Sequence, residues 1–313
     1  GNAWRNRWDS LRLFTPAVYC GLPGMPFPAA PWHLPDKDET ADYLERYAQR
    51  FELPIRLGTR VEWVWRDGDR FVVRAGSTRL EADQVIIATG PFQRPWIPDV
   101  SARLSPSITQ IHSSQYRNPF ELPDGPTLVV GVGNSGAQIA LELARTRKVW
   151  LAGKETGHLP RRFFGRDVFA WLWPHFTRFT VETRFGRHIR TRLEKGDPLI
   201  GISPRHLKEA GVQRVGRVDD EIGGLPVCEG ELIQPEVVVW CTGFRSDYHW
   251  IDPAALDHEG QPLHRRGVST TLPGLYFVGL PFQHRRTSAL IGGVGEDAAF
   301  IAEHVRRRVG LEA

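Results

Sequence analysis

The stretch TLVVGVGNSGAQIALEL, residues 127–143, puts an apolar run, a glycine-rich turn and an apolar-periodic segment in immediate succession. A run without polar alternation reads as a strand buried on both faces, and the periodic segment after it reads as a helix. Between them, Gly131-Val132-Gly133-Asn134-Ser135-Gly136 has the GxGxxG spacing. Its glycines permit a tight turn, close approach of backbone to a pyrophosphate and close packing of helix on strand. The helix N-terminus adds amide donors and the positive end of its dipole. Dinucleotide binding is the functional reading; a structural glycine turn is the plain one. The Asn134 carboxamide stands beside the turn, where it would contact a nicotinamide or flavin, or cap the helix.

Val149, Trp150 and Leu151 form the second strand of this unit, and Gly153-Lys154 follow it. An Asp or Glu at that strand end grips the ribose hydroxyls of NAD, whereas a cation suits a 2′-phosphate. Lys154, with Arg161 and Arg162 further on, therefore favours NADPH over NADH. Glu155 next door works against this, and a solvated surface lysine is the bland alternative for Lys154.

Two other strands end alike. Val85-Ile86-Ile87-Ala88 runs into Thr89-Gly90, and Val237–Cys241 runs into Thr242-Gly243 about 150 positions later. Both runs read as buried on both faces, and the glycine lets the backbone turn at the carboxyl end, where open α/β sheets place ligands. One dinucleotide site does not require two such endings.

The rest of the chain frames these signals. At 313 residues, 41% hydrophobic and 24% charged, it has the size for two domains and a soluble composition. No apolar stretch approaches the roughly 20 residues of a membrane helix, and GNAWRNRWDS has no signal-peptide h-region, so a cytoplasmic protein is the default. Cys20, Cys228 and Cys241 have neither disulfide nor zinc spacing. Of 40 basic residues 35 are arginine, but they form no block separated from acids, which argues against a nucleic-acid surface. Prolines keep the first 35 residues from forming one helix. Asp38 to Phe51 reads as a helix, and VEWVWR, RFVVRA and STRLEAD read as an antiparallel unit. PFQRPWIPDV reads as a domain boundary. The arginine- and aromatic-rich stretch 158–200 reads as a domain-packing helix interrupted at Pro174, with a membrane-surface or partner helix as the alternative. Residues 201–236 read as short strands and turns, and Gly295 to Arg308 as a terminal helix.

Taken in order, DSLRLFTP, LPGMPFP, VIIATGPFQRPWIP, IHSSQYRNP, VVGVGNSGAQIALELA, VVWCTGFRSDY and GLYFVGLPFQHRRTSALIGGVGEDAAF resemble the class B flavin-dependent monooxygenases. That group includes the plant auxin-forming enzymes, the flavin-containing monooxygenases and the Baeyer-Villiger enzymes. The resemblance covers essentially the whole chain. It implies an α/β, Rossmann-like fold with two dinucleotide-binding domains: an FAD domain from residues 1–120 and 237–313, and a nested NADPH domain at 121–236, joined by the Thr-Gly strands. Gly279, Gly293, Gly295 and Asp297 would lie beside the flavin and its ribityl chain, although Asp297 is also explained as a dipole partner at a helix start. The family signature FxGxxxHxxxY/F is partial in SITQIHSSQY. His112 and Tyr116 match its last two fixed positions. His112 is a candidate general base or, more simply, a structural or cofactor-positioning histidine. The implied chemistry is reduction of FAD by NADPH, addition of O2 at the flavin C4a and oxidation of a small organic substrate by the resulting (hydro)peroxide. An NADPH oxidase or reductase and a noncatalytic homologue are the alternatives, and homodimerisation is open.

The family also has an N-terminal FAD-binding βαβ unit of roughly 30 or more residues, and this sequence starts just after the matching point. Its absence predicts an uncovered apolar sheet edge. Either the functional protein has a part not included here, the favoured reading, or it is a shortened relative that holds FAD differently.

Overall fold

The computed structural model describes residues 1–193 and 196–310. After a proline-rich opening, α1 (Lys37–Arg50) starts where Asp36 accepts from the Asp38 and Glu39 amides and Glu39 reaches back to the Asp36 N–H. This reciprocal cap satisfies amides that a helix start leaves bare. Strands β1 (Trp63–Asp67), β2 (Arg70–Ala75) and β3 (Thr78–Ala82) form the expected antiparallel unit, followed by β4 (Val85–Ile87) and the short β5 (Arg94–Pro95). Next come β6 (Thr109–His112), β7 (Thr127–Val130), α2 (Asn134–Leu143) and β8 (Val149–Ala152).

The arginine-rich stretch supplies α3 (Val168–Arg178) and α4 (Arg184–Leu193). Pro174 lies inside α3 rather than ending it. A proline there loses one N–H and crowds the preceding turn, but the turns before it are firmly anchored. Asp167 caps the start, Phe169 stacks on Phe14, and Trp173 stacks on Tyr19 with ring centroids 4.8 Å apart. The region expected to hold only strands and turns contains α5 (Pro204–Glu209), begun by a Ser203 cap with proline at the first helical position. Then follow β9 (Gln213–Val215), an antiparallel meander over 218–232, β10 (Val237–Trp240), β11 (Phe244–Arg245), β12 (Leu275–Phe277) and α6 (Val294–Arg308).

Five strands form one all-parallel sheet in the order β9-β8-β7-β10-β6. Every residue of β7, β8 and β10 is buried, which accounts for the missing alternation. One face packs Val129, Leu151 and Val239 against Ala137, Ala140 and Leu143 of α2. The other packs Leu128, Trp150 and Trp240 against Val100, Leu104 and Ile233. The sheet revises the expected division at 120/121 and 236/237. Strands β6 and β10 were assigned to the flavin half, yet they are hydrogen-bonded to each other and β10 to β7, so those boundaries cut through a continuous ladder.

The second sheet ends with β12 paired in parallel to β4. Here the expectation of two-sided burial fails. Ile87 is buried, but Ile86 is 48% exposed, because β4 is the edge strand and only its Ile87 face meets the core of Phe71, Tyr248 and Phe277.

Gln110 has a specific partner. Its Oε1 accepts from the indole Nε1–H of fully buried Trp240 at 3.1 Å, and its amide donates to the Ser101 carbonyl at 3.1 Å. Gln110→Gly therefore strands a buried indole N–H. The expected cost is about 1–3 kcal/mol of stability, read as a lower urea midpoint at unchanged slope. An unchanged midpoint would mean that Trp240 finds another acceptor.

Candidate cofactor site between two linked sheets

The turn 131–136 sits at the carboxyl end of β7, beside the point where connections leave to β8 on one side and where β10 lies on the other. Its three glycines do different work. Gly131 has φ +114°, and a Cβ there would stand 2.3 Å from the Cys241 carbonyl oxygen. A Cβ on Gly136 would stand 1.9 Å from the Gly131 oxygen, so this glycine lets α2 approach its strand. Around Gly133 nothing lies within 4 Å of a built Cβ. The first two positions are filled by protein, whereas the third faces open space at a helix start that no side chain caps. A bare helix N-terminus with an open approach suits a phosphate.

Ser135 lies in the first turn of α2, and Asn134 makes no side-chain cap at the helix start. Its Oδ1 accepts from Ile200 N–H at 2.9 Å and its Nδ2 donates to the Pro198 carbonyl at 3.3 Å. The carboxamide thus fastens the short strand Leu199–Ile200 over the turn.

The paired Thr-Gly endings feed two linkers that bind each other. Gly90 and Gly243 turn with φ +66° and +87°, and the chain then enters β5 and β11, which pair antiparallel. The Thr242 hydroxyl donates to the Trp96 carbonyl, while Trp96 N–H donates to Gly243 O at 3.0 Å. Gln93 ties the ribbon from the other side: its Nε2 donates to Thr89 Oγ1 at 3.1 Å and to Gly90 O at 2.9 Å, and its Oε1 accepts from Asp247 N–H at 2.9 Å.

His112, 1% exposed at the end of β6, reaches the same place. The Ser114 amide donates to its Nδ1 at 3.1 Å, which assigns the proton to Nε2, and Nε2 donates to Gly243 O at 3.0 Å. Burial pushes the imidazole pKa down; the Gly243 contact opposes this and the Arg7 charge adds to it. With both nitrogens engaged, His112 has no free base for proton abstraction, and the general-base candidate gives way to a positioning histidine.

On the flavin side, Gly279 follows β12 with φ +83° and open space where a Cβ would be. Gly293 is the N-cap of α6, and a Cβ on it would lie 2.3 Å from the Thr287 carbonyl oxygen. A Cβ on Gly295 would meet Pro23 at 2.8 Å, so this glycine serves close packing. Asp297, 2% exposed in the first turn of α6, has a buried Oδ1 that accepts no hydrogen bond, and Arg266 Nε stands 3.7 Å from it. An orphaned buried acceptor is costly unless a donor completes it. A flavin ribityl hydroxyl is such a donor, so these residues fit the cofactor.

Lys154 is exposed just past β8. Arg161 is committed elsewhere: Nη2 forms a 2.7 Å ion pair with Asp167, outside hydrogen-bond alignment, and Nη1 donates to Phe14 O at 2.6 Å. It is a packing contact rather than a free phosphate ligand. Arg162 is exposed on a separate short hairpin. Arg214 of β9, absent from the expected site, donates Nη2–H to the Gly153 carbonyl at 2.9 Å. Only the pairing of β9 with β8 reveals it, since nothing local in QRVGRV marks that strand as the neighbour.

Residues 24–279 match the family described as pyridine nucleotide-disulphide oxidoreductase. A CzcO-like oxidoreductase of Geobacillus kaustophilus is 44% identical over 97% of this chain and 88% of its own length. The indole-3-pyruvate monooxygenase YUCCA1 of rice is 28% identical over 97% of this chain and 82% of its own length. Among solved structures, a flavin-containing monooxygenase from Stenotrophomonas maltophilia superposes with TM-score 0.78 at 25% identity, covering 98% of this chain and 88% of that one.

The glycine roles separate by substitution. Gly136→Ala should lower the melting temperature sharply and abolish nucleotide binding, whereas Gly133→Ala should cost no more than about 1 kcal/mol, the N-cap difference, and still weaken binding. Equal melting losses in the two variants would contradict this division.

His112, His264 and His284 all have pKa values lowered first by burial. Their neutral forms favour the fold, so this stability is fully present above the ordinary histidine value of about 6.5 and is lost as pH falls through that value towards the folded ones. Urea midpoints should drop on acidification below that point, and less steeply in His112→Gln. An identical slope in the variant would show that His112 does not contribute.

Proposed function

Since the chain belongs to the pyridine nucleotide-disulphide oxidoreductase family and, within it, to the class B flavin monooxygenase-like oxidoreductases, we propose that it is an NADPH- and FAD-dependent monooxygenase placing one oxygen atom of O2 on a small organic substrate. The observation carrying this reading is the presence of two unlike, cofactor-shaped places joined by the paired linkers. One is the open helix start at Gly133; the other is the orphaned acceptor of Asp297 in the first turn of the helix that Gly293 caps. Bound flavin supplies the O2-activating redox chemistry once it receives hydride from NADPH.

The chain's own residues have the following parts. Gly131, Gly133, Ser135 and Gly136 admit the dinucleotide phosphates, and Asn134 keeps the Leu199–Ile200 strand over them. Asp297 accepts from the ribityl chain. His112 fixes Gly243, and Thr89-Gly90 and Thr242-Gly243 hold the two cofactor places in one register. Lys154 selects the 2′-phosphate. The three cysteines are free, in keeping with a reducing compartment such as the cytoplasm. No helix among the described residues is long and apolar enough to cross a membrane.

Two measurements test the reading. The full-length functional protein supplied with FAD should turn yellow, be bleached by NADPH without O2, and transfer label from 18O2 to a substrate in a screen of amines, sulfides, ketones and keto acids. Failure to take up flavin would refute it. Flavin reduction with stoichiometric hydrogen peroxide and no labelled product throughout the screen would favour an oxidase. Lys154→Ala should raise the Kd for NADPH by about tenfold or more and leave that for NADH nearly unchanged, as expected for loss of one charged phosphate contact. Equal losses for both nucleotides would remove Lys154 from this role.

A further inference from the structure

The end of β8 is held from its neighbour. Gly153 has φ +135° and a Cβ there would lie 3.0 Å from Val132 Cγ2, so the turn packs directly on the glycine-rich loop. Its N–H donates to Gly216 O at 3.1 Å, and its carbonyl accepts from Arg214 Nη2 at 2.9 Å. Both backbone polar groups of Gly153, the residue before Lys154, are therefore fixed by β9 and the residue after it.

Arg214 has an unusual environment for a guanidinium. Its Nε and Nη1 are buried without a hydrogen-bond partner, and among the described residues no carboxylate lies within ion-pair distance of it. Burial lowers its pKa, and the acid whose charge it feels is Glu155. A half-buried, unpaired cation is costly, and one whose aligned hydrogen bond goes to a turn carbonyl contributes little to stability in return. The turn itself carries one cation and one anion, Lys154 and Glu155, both exposed. Without a further charge this pair is neutral and a 2′-phosphate meets Glu155 as readily as Lys154.

We propose that Arg214 is a positioning residue for nucleotide choice. It orients the Gly153 peptide so that Lys154 stands over the strand end, and its buried charge offsets Glu155, making the turn net positive towards a 2′-phosphorylated adenosine. The role rests on the NADPH reading above and adds to it a residue from a third strand. It requires no contact between Arg214 and the phosphate, since the charge acts from beneath the turn.

The test uses the whole chain and adenylate probes that report only this end of the nucleotide: 2′,5′-ADP and 5′-AMP, with Kd measured by calorimetry. The unsubstituted protein should bind 2′,5′-ADP more tightly. Arg214→Met keeps the apolar stem, and should reduce that preference about tenfold while leaving 5′-AMP within about twofold; Arg214→Lys, which keeps the charge, should restore part of it. Glu155→Gln in the otherwise unchanged protein should sharpen the preference, which gives a reading even if Arg214→Met does not fold. Parallel weakening of both probes in Arg214→Met, with no rescue by lysine, would reduce Arg214 to structural support. An unaltered preference in Glu155→Gln would overturn the charge-offset role. Should the unsubstituted protein show no preference, the NADPH reading itself fails. If it does show one, and Lys154→Ala removes it while Arg214→Met does not, only the present inference fails.

Discussion

The backbone oxygen of Gly243 is the point on which the two halves depend. It accepts from Trp96 N–H of the first linker and from His112 Nε2–H of the parallel sheet, each at 3.0 Å. Glycine is needed because φ is +87°, a conformation that costs another L-residue on the order of 1–2 kcal/mol. The two-residue β5–β11 ladder would be marginal alone. It is reinforced by Gln93, by the Thr242 hydroxyl, and by Arg7, whose guanidinium lies over the rings of Phe92 and Phe244 at 5.6 and 5.2 Å from their centroids. Phe92 and Phe244 follow the two Thr-Gly pairs. The repeated ending therefore marks two chain crossings that must leave their sheets and then meet.

Where local pattern and environment agree, the sequence was readable. The β7–α2–β8 unit has strands buried on both faces and a helix apolar on one, so composition, periodicity and glycine spacing all point the same way. The α1 helix was legible for the same reason. Ile86 was misread because a short apolar run carries no information about which sheet it joins or whether that sheet is covered. Pro174 was misread because stacking on Phe14 and Tyr19, more than 150 positions away, overrides a local breaker. The Ser203-Pro204 start of α5 was an available signal that a strand-and-turn reading passed over.

The site shows the same division. Motif spacing located the glycine-rich turn and the strand end at Lys154. It did not show what Asn134 and Arg161 bind, because both partners come from distant segments: Pro198 and Ile200 for the first, Phe14 for the second. The tautomer of His112 depends on the Ser114 amide and the Gly243 carbonyl, which only the fold brings together.

The excess of arginine over lysine also acquires a physical meaning. Arg7, Arg66, Arg161, Arg245, Arg266 and Arg286 all lie over aromatic rings, where a flat, weakly hydrated guanidinium packs more readily than a compact ammonium. Several have a second anchor as well, such as the Asp197 carboxylate that Arg286 grips at 2.8 and 2.9 Å. These arginines act as amphipathic mortar between segments rich in Phe and Trp, and their charge is secondary. Arg214 differs from them in having neither a ring beneath it among the described contacts nor a carboxylate beside it. Packing accounts for the group, but it leaves the buried charge under the Gly153-Lys154 turn unexplained unless that charge is used.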